Sequence, residues 1–249
     1  MYGSFFWVET RCYKSKIMIP KKIFQSHKSF DYIKSNTDLL NAVNSWKKYS
    51  PEYEHNFFTD QQCDEFMQKN FKGIVYSCYK KLPLGVMKAD LWRYCIIYHY
   101  GGIYADADTV LLCNPNEIIK DKNCLIVTPE NSVHLCQWVF AAPPKNLLLK
   151  NVINMVVQRY QHESDVNKVK QNIVHYITGP GAFTNGIEKY LESNNIQTYS
   201  NRIDYYKNNN NNNVMYLSLD IHEKMVSHLF TGSNTKDGWL NNIPDNFKL

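Results

Sequence analysis

Between Leu84 and Leu112 the chain carries a pattern that few folds accommodate. Leu84, Met87, Leu91, Tyr94 and Tyr98 recur at steps of three and four residues, the period of a helix with an apolar stripe, and Gly101-Gly102 stops it. Ile103 to Leu112 (IYADADTVLL) follows at once and reads as a buried strand, closed by Pro115 in the next connection. A helix delivered through two glycines into a buried strand is a building block of an α/β domain.

The same alternation runs along the rest of the chain. Ile19–Gln25 reads as a first strand, and a helical pattern follows through Leu39, Leu40, Val43 and Trp46. His55–Thr59 reads as a second strand, with Asp60 as N-cap of a helix from Gln61 to Asn70. Further strands are expected at Cys124–Val127, Trp138–Ala141, Val214–Leu219 and Val226–Phe230, and helices at Lys145–Tyr160 and Phe183–Glu192. With no repeat and no linker, the 249 residues are expected to form one α/β domain with its ligand site at the carboxyl ends of the strands.

Composition narrows the function classes. Hydrophobic residues at 44% and charged residues at 20% exclude a disordered tail, a fibre or a supercharged nucleic-acid arm. The formal charge of +5 is spread along the chain, so it suits an anionic ligand and singles out no nucleic acid. Seven cysteines form no CxxC pair, which indicates reduced thiols. There is no secretory segment, no membrane span and no N-x-[ST] sequon, so a cytoplasmic location is expected. About one residue in nine is Asn, and Lys outnumbers Arg about six to one, a skew of AT-rich genomes that points to a large DNA virus. The run Asn208 to Asn213 is expected to be an exposed loop.

The chemistry concentrates at Asp106-Ala107-Asp108. On a strand these two carboxylates point the same way, and like charges so close call for a cation between them, an oxygen-ligated divalent metal able to hold a diphosphate. The plainer alternative is a strand end with solvated carboxylates. On the preceding helix Asp90 and Arg93 lie near each other, as functional groups or simply as an ion pair at three-residue spacing. His228 is either a ligand or a core histidine. Gln137-Trp138 either line a sugar pocket or, for Trp138, pack in the core.

Three blocks together resemble a known family: Ile19 to Lys28, the run from Asp90-x-x-Arg93-Tyr94 to Asp108, and Ser227-His228-Leu229-Phe230-Thr231-Gly232-Ser233. With Trp46, the Phe58-Thr59-Asp60 turn and Thr178-Gly179-Pro180-Gly181, the chain is similar to the DxD-containing sugar transferases, the Och1-like mannosyltransferases of glycosyltransferase family 32, whose core is shared with clostridial glucosylating toxins. The resemblance implies a GT-A fold with a mixed, mostly parallel sheet flanked by helices. It divides residues 1–249 into a nucleotide-binding part at about 17–112 and an acceptor and lid part at about 113–249. The implied activity is metal-dependent, retaining transfer of a sugar from a UDP-sugar or GDP-mannose to a glycan or protein acceptor. The alternative is a catalytically silent binding protein on the same scaffold.

By the same resemblance, Asp108, Asp106 and His228 hold Mn²⁺ or Mg²⁺, and Asp90, Arg93, Asp106 and Asp108 form the catalytic set. Phe24, Gln25, Ser26, His27, Tyr104 and Ser233, with Asp90, Arg93 and Asp106, contact the donor. Two positions depart from the family pattern: His27 and Asn234 stand where relatives carry Trp. The missing anchor implies an enzyme of the host cytoplasm or one packaged in the virion.

Overall fold

The structure is a computed structural model that describes residues 17–119, 122–131, 133–162, 173–194 and 214–231. Ser233 and the Asn208–Asn213 run lie outside the described residues. The described chain begins with β1 (Lys22–Ser26), α1 (Phe30–Ser35), α2 (Thr37–Tyr49) and β2 (Glu54–Phe58). It continues through α3 (Asp60–Asn70), α4 (Ile74–Lys81), α5 (Gly85–Tyr100), β3 (Gly102–Ala105) and β4 (Thr109–Leu111). After α6 (Asn116–Ile119) come β5 (Leu125–Val127), β6 (Val139–Ala142), α7 (Leu147–His162), α8 (Ile173–Ile177) and α9 (Pro180–Ser193). The described chain closes with β7 (Val214–Tyr216), α10 (Leu219–Met225) and β8 (Val226–His228).

Six strands form a sheet in the order β2-β1-β3-β6-β5-β7. The β1–β2, β1–β3 and β5–β7 pairings are parallel, and β6 runs antiparallel to both its neighbours, so the sheet is mixed and mostly parallel, as expected. Strand alternation sends Phe24, Tyr104 and Phe140 to the face covered by α5, α7 and α9, and Ile23, Ile103 and Ala141 to the face covered by Trp46 and Met225. Helix α5 is not a one-sided stripe: it is buried without a break from Asp90 to Ile97, because it lies between the sheet and α7. That burial is why its polar pair, Asp90 and Arg93, must find partners inside the protein.

The Gly101-Gly102 joint works as read. Gly102 has φ of 113° and runs so close to β1 that a Cβ would sit 2.5 Å from the Lys22 carbonyl oxygen. Only glycine permits the turn and the approach together.

Several expected boundaries are revised. The run Ile103–Leu112 is not one strand: β3 ends at Ala105, a turn occupies Ala107-Asp108, and β4 leaves the main sheet to pair antiparallel with β8. The break has a visible cause, since the Asp106 carbonyl accepts from Thr109 N (3.1 Å) and Thr109 Oγ1 (2.6 Å), a closed turn in place of a ladder. Thr59, not Asp60, caps α3, in a capping box with Gln62. Val214–Leu219 is divided between β7 and the start of α10, and Val226–Phe230 ends as a strand at His228 because Phe230 turns to φ 54°. Helices α4, α6, α8 and α10 were not anticipated by the periodicity. Six cysteines of the described residues are free thiols, as expected. Among the described residues no helix is long and apolar enough to cross a membrane.

Candidate active site

The turn after β3 is held from several sides. Asp106 N donates to the Trp138 carbonyl (2.8 Å), and Gln25 Nε2 donates to the Asp106 carbonyl (3.3 Å). Trp46, buried under the turn, donates its indole N–H to Thr109 O (3.0 Å) and Thr109 Oγ1 (3.1 Å). Asp106 and Asp108 do face one site, but through this turn and not through strand alternation. The second sheet supplies the third member: β4–β8 pairing sets Thr109 opposite His228. Leu229 N then donates to Asp108 O (2.9 Å), locking the two segments together.

Ligand atoms of Asp106, Asp108 and His228 all lie within 4.8 Å of one another. His228 Nε2 is 3.4 Å from Asp108 Oδ1 and 3.9 Å from Asp106 Oδ2. Asp108 Oδ2 accepts from both the backbone N–H and the hydroxyl of Thr231, each at 2.9 Å. Two carboxylates and an imidazole make a donor set suited to a hard divalent cation such as Mn²⁺ or Mg²⁺. The Phe230 N–H donates to His228 Nδ1 (2.8 Å), which leaves the proton of a neutral ring on Nε2, facing the carboxylates. His228 Nε2 thus faces the two aspartates with its proton, and ligation through Nε2 requires the Phe230 bond to be given up.

Behind the turn lies a buried polar network. Arg93 Nη2 is 3.2 Å from both Asp90 Oδ1 and Asp106 Oδ1, and its Nη1 donates to the Gln137 carbonyl (3.2 Å). The plain i,i+3 ion pair is therefore present and extends to Asp106. The guanidinium also sits 4.7 Å over the Tyr104 ring, whose hydroxyl donates to Asp106 Oδ1. Asp90 accepts from Thr178 Oγ1 (2.8 Å) and Gln137 Nε2 (3.3 Å). Tyr94 ties the set together by donating to Gln137 Oε1 and Thr178 O.

The electrostatics follow from this wiring. Burial pushes the Asp90 carboxyl up to about 6, against the opposing pull of Arg93 and Thr178. Burial would raise Asp106 too, but Arg93, then His228 and Tyr104, hold it below its ordinary value. Arg93 is kept firmly charged: burial opposes this, and Asp106, Tyr104 and Asp90 overcome it.

These groups open into one cleft of about 860 Å³. Asp90, Arg93, Tyr104, Asp106, Asp108 and His228 line it, with Ser26 and His27 from the end of β1. Phe24 does not. It shares the Tyr104 face of the sheet but is 1% exposed, packed into the α5 core and stacked on Tyr100 at 5.8 Å. Gln25 is also buried and acts on the site through the Asp106 carbonyl instead of through a ligand. Trp138 lines the cleft while its ring lies 4.7 Å from His228 and 4.8 Å from His222.

Some members of the site receive no role from the sequence pattern. Thr178 and Thr231 reach Asp90 and Asp108 across 88 and 123 residues of chain. Glu130 is an exposed residue that lines the cleft from the loop before Leu135, and desolvation by the surrounding protein pushes its carboxyl up.

A mixed sheet whose central strand ends in a carboxylate turn, beside a cleft at the strand ends, is the GT-A glycosyltransferase fold. The structure superposes on the PaToxG glycosyltransferase with a TM-score of 0.55 at 15% identity, over 70% of each chain. Residues 36–125 match the family described as "Glycosyltransferase sugar-binding region containing DXD motif". It is 30% identical over 198 residues to the initiation-specific alpha-1,6-mannosyltransferase of Schizosaccharomyces pombe, covering 70% of this chain and 49% of that one. With the protein of the same name from Candida albicans it shares 26% over 209 residues, covering 71% and 54%. The chain thus spans about half the length of the curated relatives it matches.

Proposed function

We propose that this chain transfers a sugar from a nucleoside diphosphate donor to a hydroxyl of a glycan or protein acceptor, with Mn²⁺ or Mg²⁺ and with retention of anomeric configuration. The observation that carries the reading is the meeting of Asp106, Asp108 and His228 with the buried Asp90–Arg93 pair in one cleft. A bound divalent ion would supply charge stabilisation to the departing diphosphate. Asp106 and Asp108 would hold it, with Thr231 fixing one oxygen of Asp108 and Arg93 one oxygen of Asp106.

The chain's own residues have distinct tasks in this scheme. Asp90, 1% exposed, presents a fixed carboxylate edge to donor-sugar hydroxyls, and Gln137 and Thr178 hold that edge in place. Arg93 keeps Asp106 ionised and oriented at the moment charge develops. Glu130, with its carboxyl pushed up, is placed to hold or take the acceptor hydroxyl proton. Asp90 and Arg93 are carried on α5, Asp106 on the turn after β3 and Glu130 on the segment after β5, beside the strand ends where such folds bind ligands.

The test is release of nucleoside diphosphate from a panel of UDP- and GDP-sugars with Mn²⁺, alongside Asp108→Ala. Turnover with one donor, lost in Asp108→Ala while the fold persists, supports the assignment. Metal-dependent binding of every competent nucleotide without turnover, in the presence of acceptor glycans, shows a binding protein instead.

A further inference from the structure

We propose that Trp138 and His222 are positioning residues for His228, acting through a relay of ring contacts that aims the imidazole at Asp106 and Asp108. This rests on the reading of the cleft as a metal-dependent site. The ladder to Thr109 fixes the backbone of His228 but not its ring, which turns about two side-chain torsions, the outer one soft. Beyond His228 the strand ends, and Leu229 and Phe230 are 39% and 45% exposed. Among the described residues two rings meet the imidazole: Phe230 at 4.2 Å, and Trp138 at 4.7 Å with the planes 69° apart. Phe230 is not a lasting support, because its N–H holds Nδ1 (2.8 Å) and that bond is lost when Nε2 takes a metal. The Trp138 contact is ring to ring and survives the change of tautomer.

Trp138 is placed to serve both halves of the metal site. Its carbonyl accepts from Asp106 N (2.8 Å), so this residue, just before β6, fixes the carboxylate turn through its backbone and the imidazole through its ring. The indole packs in turn against His222 of α10, centroids 4.8 Å apart. His222 is 5% exposed, and burial lowers its pKa to about 4, so it stands near the cation site without a charge of its own. Its Nε2 has no hydrogen-bond partner among the described residues. With no hydrogen bond to make through that nitrogen, the imidazole serves the indole with its flat face. His222 also walls an apolar cavity of about 30 Å³, together with Trp46, Leu217 and Met225. Truncating the ring therefore leaves space that no neighbour already fills, into which the indole can tip away from His228. Trp138 lines the cleft as well, so direct contact with a substrate is the competing role, and metal binding without nucleotide separates the two.

The experiment is calorimetric titration of Mn²⁺, without nucleotide, into the full chain and into Trp138→Leu, His222→Ala, His222→Phe and His228→Ala. Trp138→Leu and His222→Ala are repeated in the His228→Ala background, and melting temperature checks folding. Trp138→Leu is expected to weaken Mn²⁺ binding about 10-fold and His222→Ala about 3- to 10-fold. His222→Phe, which keeps a flat ring and removes the nitrogens, is expected to stay within about 2-fold of wild type. In the His228→Ala background both losses are expected to fall below about 2-fold, because the two rings act only through the imidazole. Losses of equal size in both backgrounds, or affinity unchanged in Trp138→Leu and His222→Ala, overturn the assignment and leave the metal site standing. Where Trp138→Leu does not fold, the comparison of His222→Ala with His222→Phe decides alone. Failure of the wild type to bind Mn²⁺ removes the metal-dependent reading, and the positioning role with it.

Discussion

Replacing Arg93 by Met keeps the length of the side chain and removes the one charge that both Asp90 and Asp106 face at 3.2 Å. Removing one partner of a buried ion pair costs about 3–5 kcal/mol, because the other charge stays buried without compensation. Here two carboxylates lose it, one of them 1% exposed, and the stacking over Tyr104 goes as well. We expect Arg93→Met to be less stable by about 3–5 kcal/mol at pH 7 in denaturant unfolding. The loss depends on pH with a definite sign. Without Arg93, both native carboxyls titrate above their unfolded values, so between pH 7 and 5 the variant's native state takes up roughly one more proton than the wild type's. Each such proton recovers roughly 1.4 kcal/mol per pH unit, which shrinks the deficit to about 1–2 kcal/mol at pH 5. Adding Asp90→Asn to the variant removes one of the stranded charges and restores part of the stability at pH 7. A deficit below about 1 kcal/mol at pH 7, or one unchanged between pH 7 and 5, would refute the view of Arg93 as the charge that holds the network together.

Other consequences are simpler to state. Asp90, pushed up to about 6, binds its proton in the native state before the unfolded chain does, so its contribution to stability grows as pH falls from 7 through 6 and is complete near the unfolded value. Asp90→Asn should flatten the stability profile over that window, as measured by unfolding at pH 7, 6 and 5; the opposite slope from Asp106, whose native pKa is depressed, lies below it. Thr231→Val keeps the backbone donor to Asp108 and deletes the hydroxyl, so Mn²⁺ affinity by calorimetry should fall about 10- to 100-fold with little change in melting temperature. Trp46→Phe removes the donor to Thr109 under the carboxylate turn, and denaturant unfolding should show a loss of about 1–3 kcal/mol. Gly102→Ala forces a Cβ to within 2.5 Å of the Lys22 carbonyl at a positive φ, and thermal melts should show a lower midpoint with β1 unpaired from β3.

The parts legible in the amino-acid pattern are those encoded locally. Apolar spacing from Leu84 to Tyr98, the Gly101-Gly102 stop and the Asp106/Asp108 pair sit within 25 residues and report a helix, a joint and a carboxylate site. Even so, the reason the two aspartates converge was misread: Thr109 folds back on the Asp106 carbonyl and Trp46, 63 residues earlier, pins the turn. Nothing in a period-two pattern signals such a distant donor. Phe24 shares a sheet face with the cleft-lining Tyr104, and only its packing against Tyr100 in the α5 core, which strand alternation does not reveal, keeps it out of the cleft. Thr178 and Thr231 lie within blocks that carry the resemblance, but their pairing with Asp90 and Asp108 depends on long-range closure of the chain, and Glu130 sits in no motif at all. Asp60 was read as a cap because acidic residues at helix starts usually serve that role, whereas the Thr59–Gln62 box does the capping.

The account stands or falls on the cleft being a metal-dependent nucleotide site built on Asp106 and Asp108. The direct measurement is calorimetric binding of GDP and UDP to wild type and Asp108→Asn, each with and without Mn²⁺, with melting temperature as the control for folding. The account predicts nucleotide binding that requires Mn²⁺ and drops at least about 100-fold in a folded Asp108→Asn variant. Nucleotide binding of equal strength without metal, or undiminished in Asp108→Asn, would contradict it.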